Sequence, residues 1–106
     1  MGLHQLVQRS ASQCDVELRK DLISNVVVCG GGSLLNGFVD RLQKEISVLS
    51  SLPKLRVIAS NSSVERSFSV WLGGSILGSL GSFQQMWISK EEYGDHGKGV
   101  VERKCP

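Results

Sequence analysis

The chain has 106 residues, of which 41% are hydrophobic and 21% are charged, and its 12 Lys and Arg against 10 Asp and Glu give a formal net charge of +2. This composition is typical of one small globular unit, which we expect to span residues 1–106, and it excludes a large enzyme built around a deep cleft. So small a charge attracts nucleic acid or an anionic membrane only weakly, so we expect neither sequence-specific nucleic acid binding nor membrane association.

The N-terminal part of the chain has apolar residues at loosely helical spacing. Residues 3–19 predict two short helices with a break near residues 10–12, and Asp15 is expected to cap the second helix. Residues 25–29 then form a continuous β-branched run, Asn-Val-Val-Val-Cys. Such a run predicts a strand that is buried on both of its faces.

Three glycines follow this strand, and an amphipathic helix follows the glycines. The spacing predicts the helix over residues 37–50, with one apolar stripe formed by Phe38, Leu42, Ile46 and Leu49. Residues 55–59 predict a second strand. A strand, a helix and a strand at this spacing predict a right-handed crossover unit of a parallel sheet, and therefore an α/β fold.

The C-terminal part of the chain predicts short helices. Ser69 is expected to cap a helix that ends at Gly81, and residues 83–87 predict another helical turn. Ser89 and Glu92 have the spacing of a capping box, which marks the start of a further helix. Residues 94–106 are polar and rich in glycine, so we expect a loosely attached tail.

The glycines at positions 30, 31 and 32 are the only feature of the chain that suggests nucleotide binding. Small residues between a strand and a helix let backbone N–H groups approach a phosphate or a sugar. The spacing is neither that of a dinucleotide-binding fingerprint nor that of a P-loop. The same glycines are also explained by a simple turn from strand to helix, and both interpretations stay open at this point.

Residues that could support catalysis or metal binding are scarce. His4 and His96 stand near no Cys, Ser or carboxylate at a useful spacing, so we expect both to be exposed, with no catalytic residue and no metal ligand in the chain. Cys14, Cys29 and Cys105 form an odd set without a C-x-x-C pair. This pattern favours a reducing intracellular compartment over a disulfide framework.

One apolar stripe near the C-terminus needs a covering surface. It consists of Leu72, Ile76, Leu77 and Leu80, extended by Phe83 and Met86. The stripe is too apolar to stay in water, so it faces either the core of the chain or a partner. Its methionine, with the glycines and serines nearby, also suits a groove for an amphipathic helix of another protein.

Several runs of residues resemble the C-terminal part of the actin family, and together they cover nearly the whole chain. The runs are residues 14–22, 40–46, 69–77 and 83–90. Three features differ from conventional actin and resemble the nuclear actin-related proteins of the fourth class, called actin-like protein six in animals. They are the longer turn at residues 61–66, Gly81, and the C-terminal sequence of residues 101–106.

The resemblance implies a fold and its limits. It implies that residues 1–106 are a C-terminal fragment of the actin-like, ribonuclease H-like ATPase fold, with a strand-helix-strand unit followed by short helices. The matching regions are part of the third subdomain and the C-terminal end of the first. The family's phosphate-binding hairpins and its cation site correspond to sequence upstream of this fragment.

The resemblance also implies which residues belong to a nucleotide site. Only its adenosine side remains, at Gly30, Gly31, Gly32 and Leu34, with Ser67 at the position of a family lysine that lies against the adenine. Leu35 stands where actin has a tyrosine. We therefore expect no cofactor for this chain, while ATP remains an option for a full-length parent.

The function implied by the resemblance is a non-catalytic scaffold subunit of nuclear chromatin-remodelling or histone acetyltransferase complexes. Its expected partners are actin and a helix of a remodeller's motor subunit, bound through a partner groove formed by Leu72, Ile76, Leu77, Leu80 and Met86. Two alternatives stay open. In the first, the chain is an ATP-binding protein of the actin type or a fragment of conventional actin. In the second, it is a truncated product without independent function.

Overall fold

The computed structural model describes residues 1–52 and 54–106. The elements, in chain order, are α1 (Leu3–Ser12), α2 (Val16–Ser24), β1 (Asn25–Val27), a 3-10 helix (Gly31–Leu34), α3 (Phe38–Ser50), β2 (Arg56–Ile58), α4 (Ser63–Ser79), α5 (Phe83–Met86), α6 (Lys90–His96) and α7 (Gly99–Lys104). The chain divides into two compact units, Met1–Val70 and Trp71–Pro106. The assignment of the chain to parts of two actin subdomains stays a prediction.

The first unit contains the parallel strand-helix-strand unit expected from the sequence, while the right-handedness of its crossover stays a prediction. Strands β1 and β2 pair in parallel, with Val26 opposite Val57, and α3 lies between them in the chain. The Val28 amide extends the ladder by donating a hydrogen bond of 2.8 Å to the Ile58 carbonyl. The predicted α/β class is therefore confirmed.

The core of the first unit forms where α3 packs against the sheet. Leu42 and Ile46 lie one turn apart on α3, and both are buried together with Val57 of β2. Partly buried apolar side chains from the helices and from in and beside the strands surround them, namely Val7, Ile23, Val26, Val28, Phe38, Val39 and Leu55. Burial of a side chain such as Ile46 contributes about 2 kcal/mol, so this small cluster stabilises the packing of α3 against the sheet.

The prediction that the first strand is buried on both faces is wrong. Successive side chains of a strand point to opposite faces. Val26 and Val28 pack against the core, whereas Val27 between them is 69% exposed. Within the described residues, core packing reaches only one face of β1.

The N-terminal helices follow the expected order. The break between them lies at residues 13–15, slightly later than predicted, and Asp15 occupies the N-cap position of α2. The Asp15 side chain makes no capping hydrogen bond, and its carbonyl accepts one of 3.0 Å from the Leu18 amide.

Helix α4 begins earlier than the sequence predicted. Its N-terminus is at Ser63, because the Ser62 hydroxyl accepts a hydrogen bond of 3.3 Å from the Glu65 amide. Ser69 is therefore not the cap, and its hydroxyl instead donates to the Glu65 carbonyl within the helix. A non-helical residue, Phe68 (φ −115°, ψ 18°), directly precedes Ser69, so the helix does break where the sequence placed a start.

The second unit ends in a packed helix rather than a loose tail. Ser89 caps α6 as expected, since its hydroxyl accepts a hydrogen bond of 3.1 Å from the Glu92 amide. The prediction of a loosely attached C-terminus is wrong. Helix α7 packs against α6, and Val100 in its first turn is only 2% exposed, because the apolar face of this short helix is covered.

Candidate functional site

The glycine turn, residues 30–34, connects β1 to the loop before α3. Gly30 has φ +100°, a conformation that side chains with a Cβ rarely adopt. Its amide donates a hydrogen bond of 2.8 Å to the carbonyl of Arg66 on α4. The turn is thereby attached to a helix that begins about thirty residues later in the sequence.

The Ser33 side chain is buried within the glycine turn and forms a hydrogen bond to it. It is 5% exposed, and its hydroxyl donates a hydrogen bond of 2.6 Å to the Gly30 carbonyl. The Ser33 amide donates to the same carbonyl at 3.1 Å. The hydroxyl proton of the buried Ser33 side chain is therefore satisfied by the turn itself.

The Arg66 side chain joins three parts of the first unit. Its Nε and Nη2 atoms donate to the Ser60 carbonyl after β2, at 2.9 and 2.6 Å, and its Nη1 donates to the Ser33 carbonyl at 3.2 Å. Sequence reasoning missed both Arg66 and Ser33. The sequence offers one indication of Arg66, since it directly precedes Ser67, a position that the resemblance places at the nucleotide site.

The predicted nucleotide residues lie on two segments that the structure brings together. The Gly30–Arg66 hydrogen bond places the glycine turn beside the start of α4, where Ser67 is half-buried. A Cβ at Gly31 or Gly32 would meet no other atom within 4 Å, so the backbone there is open to approach. Leu34 is exposed. The role of these residues in nucleotide binding stays a prediction.

A cavity of about 420 Å³ lies beside the glycine turn, and its lining includes Ser33, Leu34, Asp40, Asn61 and Arg66. The lining is mostly polar and carries one acid and one base. The three glycines and Ser67 do not line it. Leu34 is the one predicted nucleotide residue in its lining, so the cavity adjoins the predicted adenosine side and overlaps it only there.

The partner groove lies in the second unit and is open to solvent. Ile76, Leu77, Leu80 and Met86 are each between 46% and 63% exposed, and Leu72 is half-buried. Leu72, Ile76 and Leu80 are four residues apart, which places them along one side of α4 and its last turn. A Cβ at Gly73, Gly74 or Gly78 would meet no other atom within 4 Å. The stripe thus lies outside the core of this chain, and its role as a groove stays a prediction.

Other chemistry is sparse in the part of the chain that the structure describes. No group of three His, Cys, Asp or Glu side chains there is placed to hold a metal ion, and no helix there has both the length and the apolarity to cross a membrane. The three cysteines are free and exposed. His96 is exposed, but His4 is half-buried, contrary to expectation, because its ring lies against Gly2.

Comparison with known proteins gives a consistent result. The sequence model of the actin family matches residues 1–106. The chain is 50% identical to Actin-related protein 4 of Schizosaccharomyces pombe over 108 residues, 52% identical to Actin-related protein 4 of Oryza sativa subsp. indica, and 47% identical to Actin-related protein 4 of Arabidopsis thaliana. Each match covers 99% of this chain and 24–25% of the relative, so the chain spans about a quarter of the length of these curated relatives.

Proposed function

The chain belongs to the actin family, and on that basis we propose that it acts as a non-catalytic scaffold segment of nuclear chromatin-remodelling or histone acetyltransferase complexes. Its partners are actin and a helix of the remodeller's motor subunit. It needs no cofactor of its own and makes no sequence-specific contact with nucleic acid. Its animal counterpart is actin-like protein six.

The observation that carries this proposal is the exposure of the partner groove. The stripe has five apolar side chains, and four of them are more than one-third exposed. Their contact with water is unfavourable, so a partner that covers the stripe lowers the free energy. The open glycines of α4 allow a partner helix to approach the backbone. The similarity to Actin-related protein 4 supports the fourth class of actin-related proteins, on whose resemblance the choice of complexes rests.

The nature of the occupant follows from the shape and chemistry of the stripe. Leu72, Ile76 and Leu80 repeat at one helical turn, a spacing that matches anchors on a helix lying alongside. Met86 adds a flexible, polarisable side chain that adapts to irregular partners. An amphipathic helix with its apolar face towards the stripe therefore fits best.

The test is Ile76→Asp in the full-length protein that carries this sequence. Ile76 is 63% exposed, so the variant keeps the melting temperature of the parent. It loses co-purification with actin and the motor-subunit helix, because the partner would bury an unpaired carboxylate. Val48→Asp on α3 is the matched control, since Val48 is also exposed but lies outside the stripe.

The two alternatives give different results. If the stripe is core in the full-length protein, Ile76→Asp lowers the melting temperature strongly, because a charge buried without a partner costs several kcal/mol. If the stripe binds nothing, Ile76→Asp and Val48→Asp retain the same partners. Either result contradicts the proposal.

A second function, ATP binding of the actin type, is favoured by one observation. The open backbone at Gly31 and Gly32 lies beside the start of α4, and small residues there let backbone N–H groups approach a ligand. The test is isothermal titration of the full-length protein with Mg-ATP, with Gly31→Val as the variant that blocks the approach. Binding that the variant abolishes would establish a nucleotide role beside the scaffold role.

A further inference from the structure

The ammonium group of Lys104 connects α7 to α5 and α6. Its Nζ donates hydrogen bonds of 2.9 Å to the carbonyl of Trp87, at the end of α5, and to Oε1 of Glu92 on α6. Oε2 of Glu92 lies 2.7 Å from the same nitrogen, so both carboxylate oxygens contact the ammonium group. The Lys104 side chain is 18% exposed.

The acceptor at Trp87 is the point where α5 ends. Trp87 is the C-cap of this helix and has an extended backbone (φ −81°, ψ 164°). Carbonyls at a helix end have no partner within the helix, and lysine side chains commonly supply one. The Trp87 ring also packs edge-on against Phe83, with ring centroids 5.6 Å apart. Lys104 therefore fixes the C-terminal end of α5.

The N-terminal end of α5 is fixed to α4 by the turn that precedes it. The Leu80 amide donates to the Leu77 carbonyl at 3.2 Å, and the Phe83 amide donates to the Leu80 carbonyl at 3.0 Å. Met86, the member of the partner groove on α5, lies between this turn and the carbonyl bound by Lys104. Its position relative to Leu77 and Leu80 depends on both attachments.

We propose that α7 is a latch, in which Lys104 positions α5 and thereby sets Met86 for the partner helix. This inference rests on the proposed function of the groove. Val100, buried in the first turn of α7, holds this helix in place. Lys104, the last residue of α7, then links the docked helix to the end of α5. Occupation of the groove and docking of α7 then favour each other, since coupling between two sites is reciprocal.

The experiment compares three variants of the full-length protein by hydrogen exchange and partner binding. Lys104→Met keeps most of the unbranched side chain and removes its charge and donors, Lys104→Arg keeps a charged donor, and Lys98→Met changes an exposed lysine of the same segment. We expect Lys104→Met to speed amide exchange at residues 83–88 and to raise the Kd for the motor-subunit helix, each by about fivefold. Lys104→Arg should keep most of the slow exchange at residues 83–88 and most of the partner affinity. Lys98→Met should change neither the exchange nor the affinity.

The two readouts separate the latch from the groove. Unchanged exchange at residues 83–88 in Lys104→Met would overturn the latch, provided that exchange in α3 shows the variant folded. Faster exchange with unchanged partner affinity would overturn the coupling if Ile76→Asp does weaken the complex. If the unmodified protein binds no partner helix, the proposed function fails, and the exchange of residues 83–88 alone decides whether Lys104 positions α5.

Discussion

The Gly30 amide and the Arg66 carbonyl are joined by a hydrogen bond of 2.8 Å, and this single contact attaches the glycine turn to the start of α4. Gly30 makes this contact with φ +100°, a conformation that residues with a Cβ rarely adopt. The two adjoining glycines have ordinary backbone angles. Only one of the three glycines is therefore demanded by the fold.

Alanine at positions 30 and 31 should consequently have different effects. Gly30→Ala is expected to destabilise the protein by about 1 to 2 kcal/mol, since a Cβ is strained at positive φ. Gly31→Ala should be close to neutral, because its Cβ would enter open space. Urea unfolding of both variants measures the difference, and equal midpoints would contradict the assignment of strain to Gly30.

Replacement of Arg66 tests its role as the connector of the first unit. Arg66→Ala removes the donors to the Ser60 and Ser33 carbonyls and should lower the free energy of unfolding by about 2 kcal/mol. Arg66→Lys keeps the charge but not the planar fork and should recover only part of this loss. Arg41→Ala, at an exposed position on α3, serves as the control. A loss no larger than that of the control would exclude a connecting role.

The 106-residue chain by itself should neither hydrolyse ATP nor bind it tightly. Stabilisation of a transferring phosphoryl group needs positioned donors and a metal ion. Ser67 is neutral where the family resemblance implies a lysine, so the charge at the adenosine side is also reduced. Isothermal titration with Mg-ATP measures the affinity, and a micromolar Kd would refute the prediction.

Acidification should release the latch. The hydrogen bond from Lys104 holds the pKa of Glu92 below its ordinary value, and the charges of Lys104, Arg103 and His96 act in the same direction while desolvation opposes them. A carboxylate with a lowered pKa contributes stability above its unfolded pKa, and this contribution is lost as the pH falls through the folded value.

Amide NMR shifts of Trp87 and Lys104 should therefore move together when the pH is lowered from about 7 to about 3. Glu92→Gln should abolish this movement, because an amide does not titrate in that range. A movement of equal size in Glu92→Gln would assign the titration to another group.

The local elements of the fold were predictable because they depend on residues close in sequence. The β-branched run of β1, the apolar period of α3 and the Ser89 cap each act within one or two turns of chain. Their order is enough to predict a parallel crossover. The start of α4 was missed because Ser62 offers the same capping hydroxyl as Ser69, and the pattern alone does not choose between them.

The contacts that organise the two candidate sites were not predictable in the same way. Arg66 reaches Ser33 across 33 positions, and Lys104 reaches Trp87 across 17. Neither pair has a periodic signal, since the chain must fold before the donor and acceptor meet. The burial of Val100 was hidden for the same reason, within a segment whose composition suggests a tail.

The engagement of Lys104 also determines how the peptide bond after it meets a protease that cleaves after basic residues. Such an enzyme must take the target side chain into its own pocket and hold the flanking backbone extended, and both are incompatible with a lysine bound to Trp87 and Glu92 inside a helix. Cleavage after Lys104 requires α7 to undock first. The rate of cleavage after Lys104 therefore measures how often α7 undocks from the rest of the second unit.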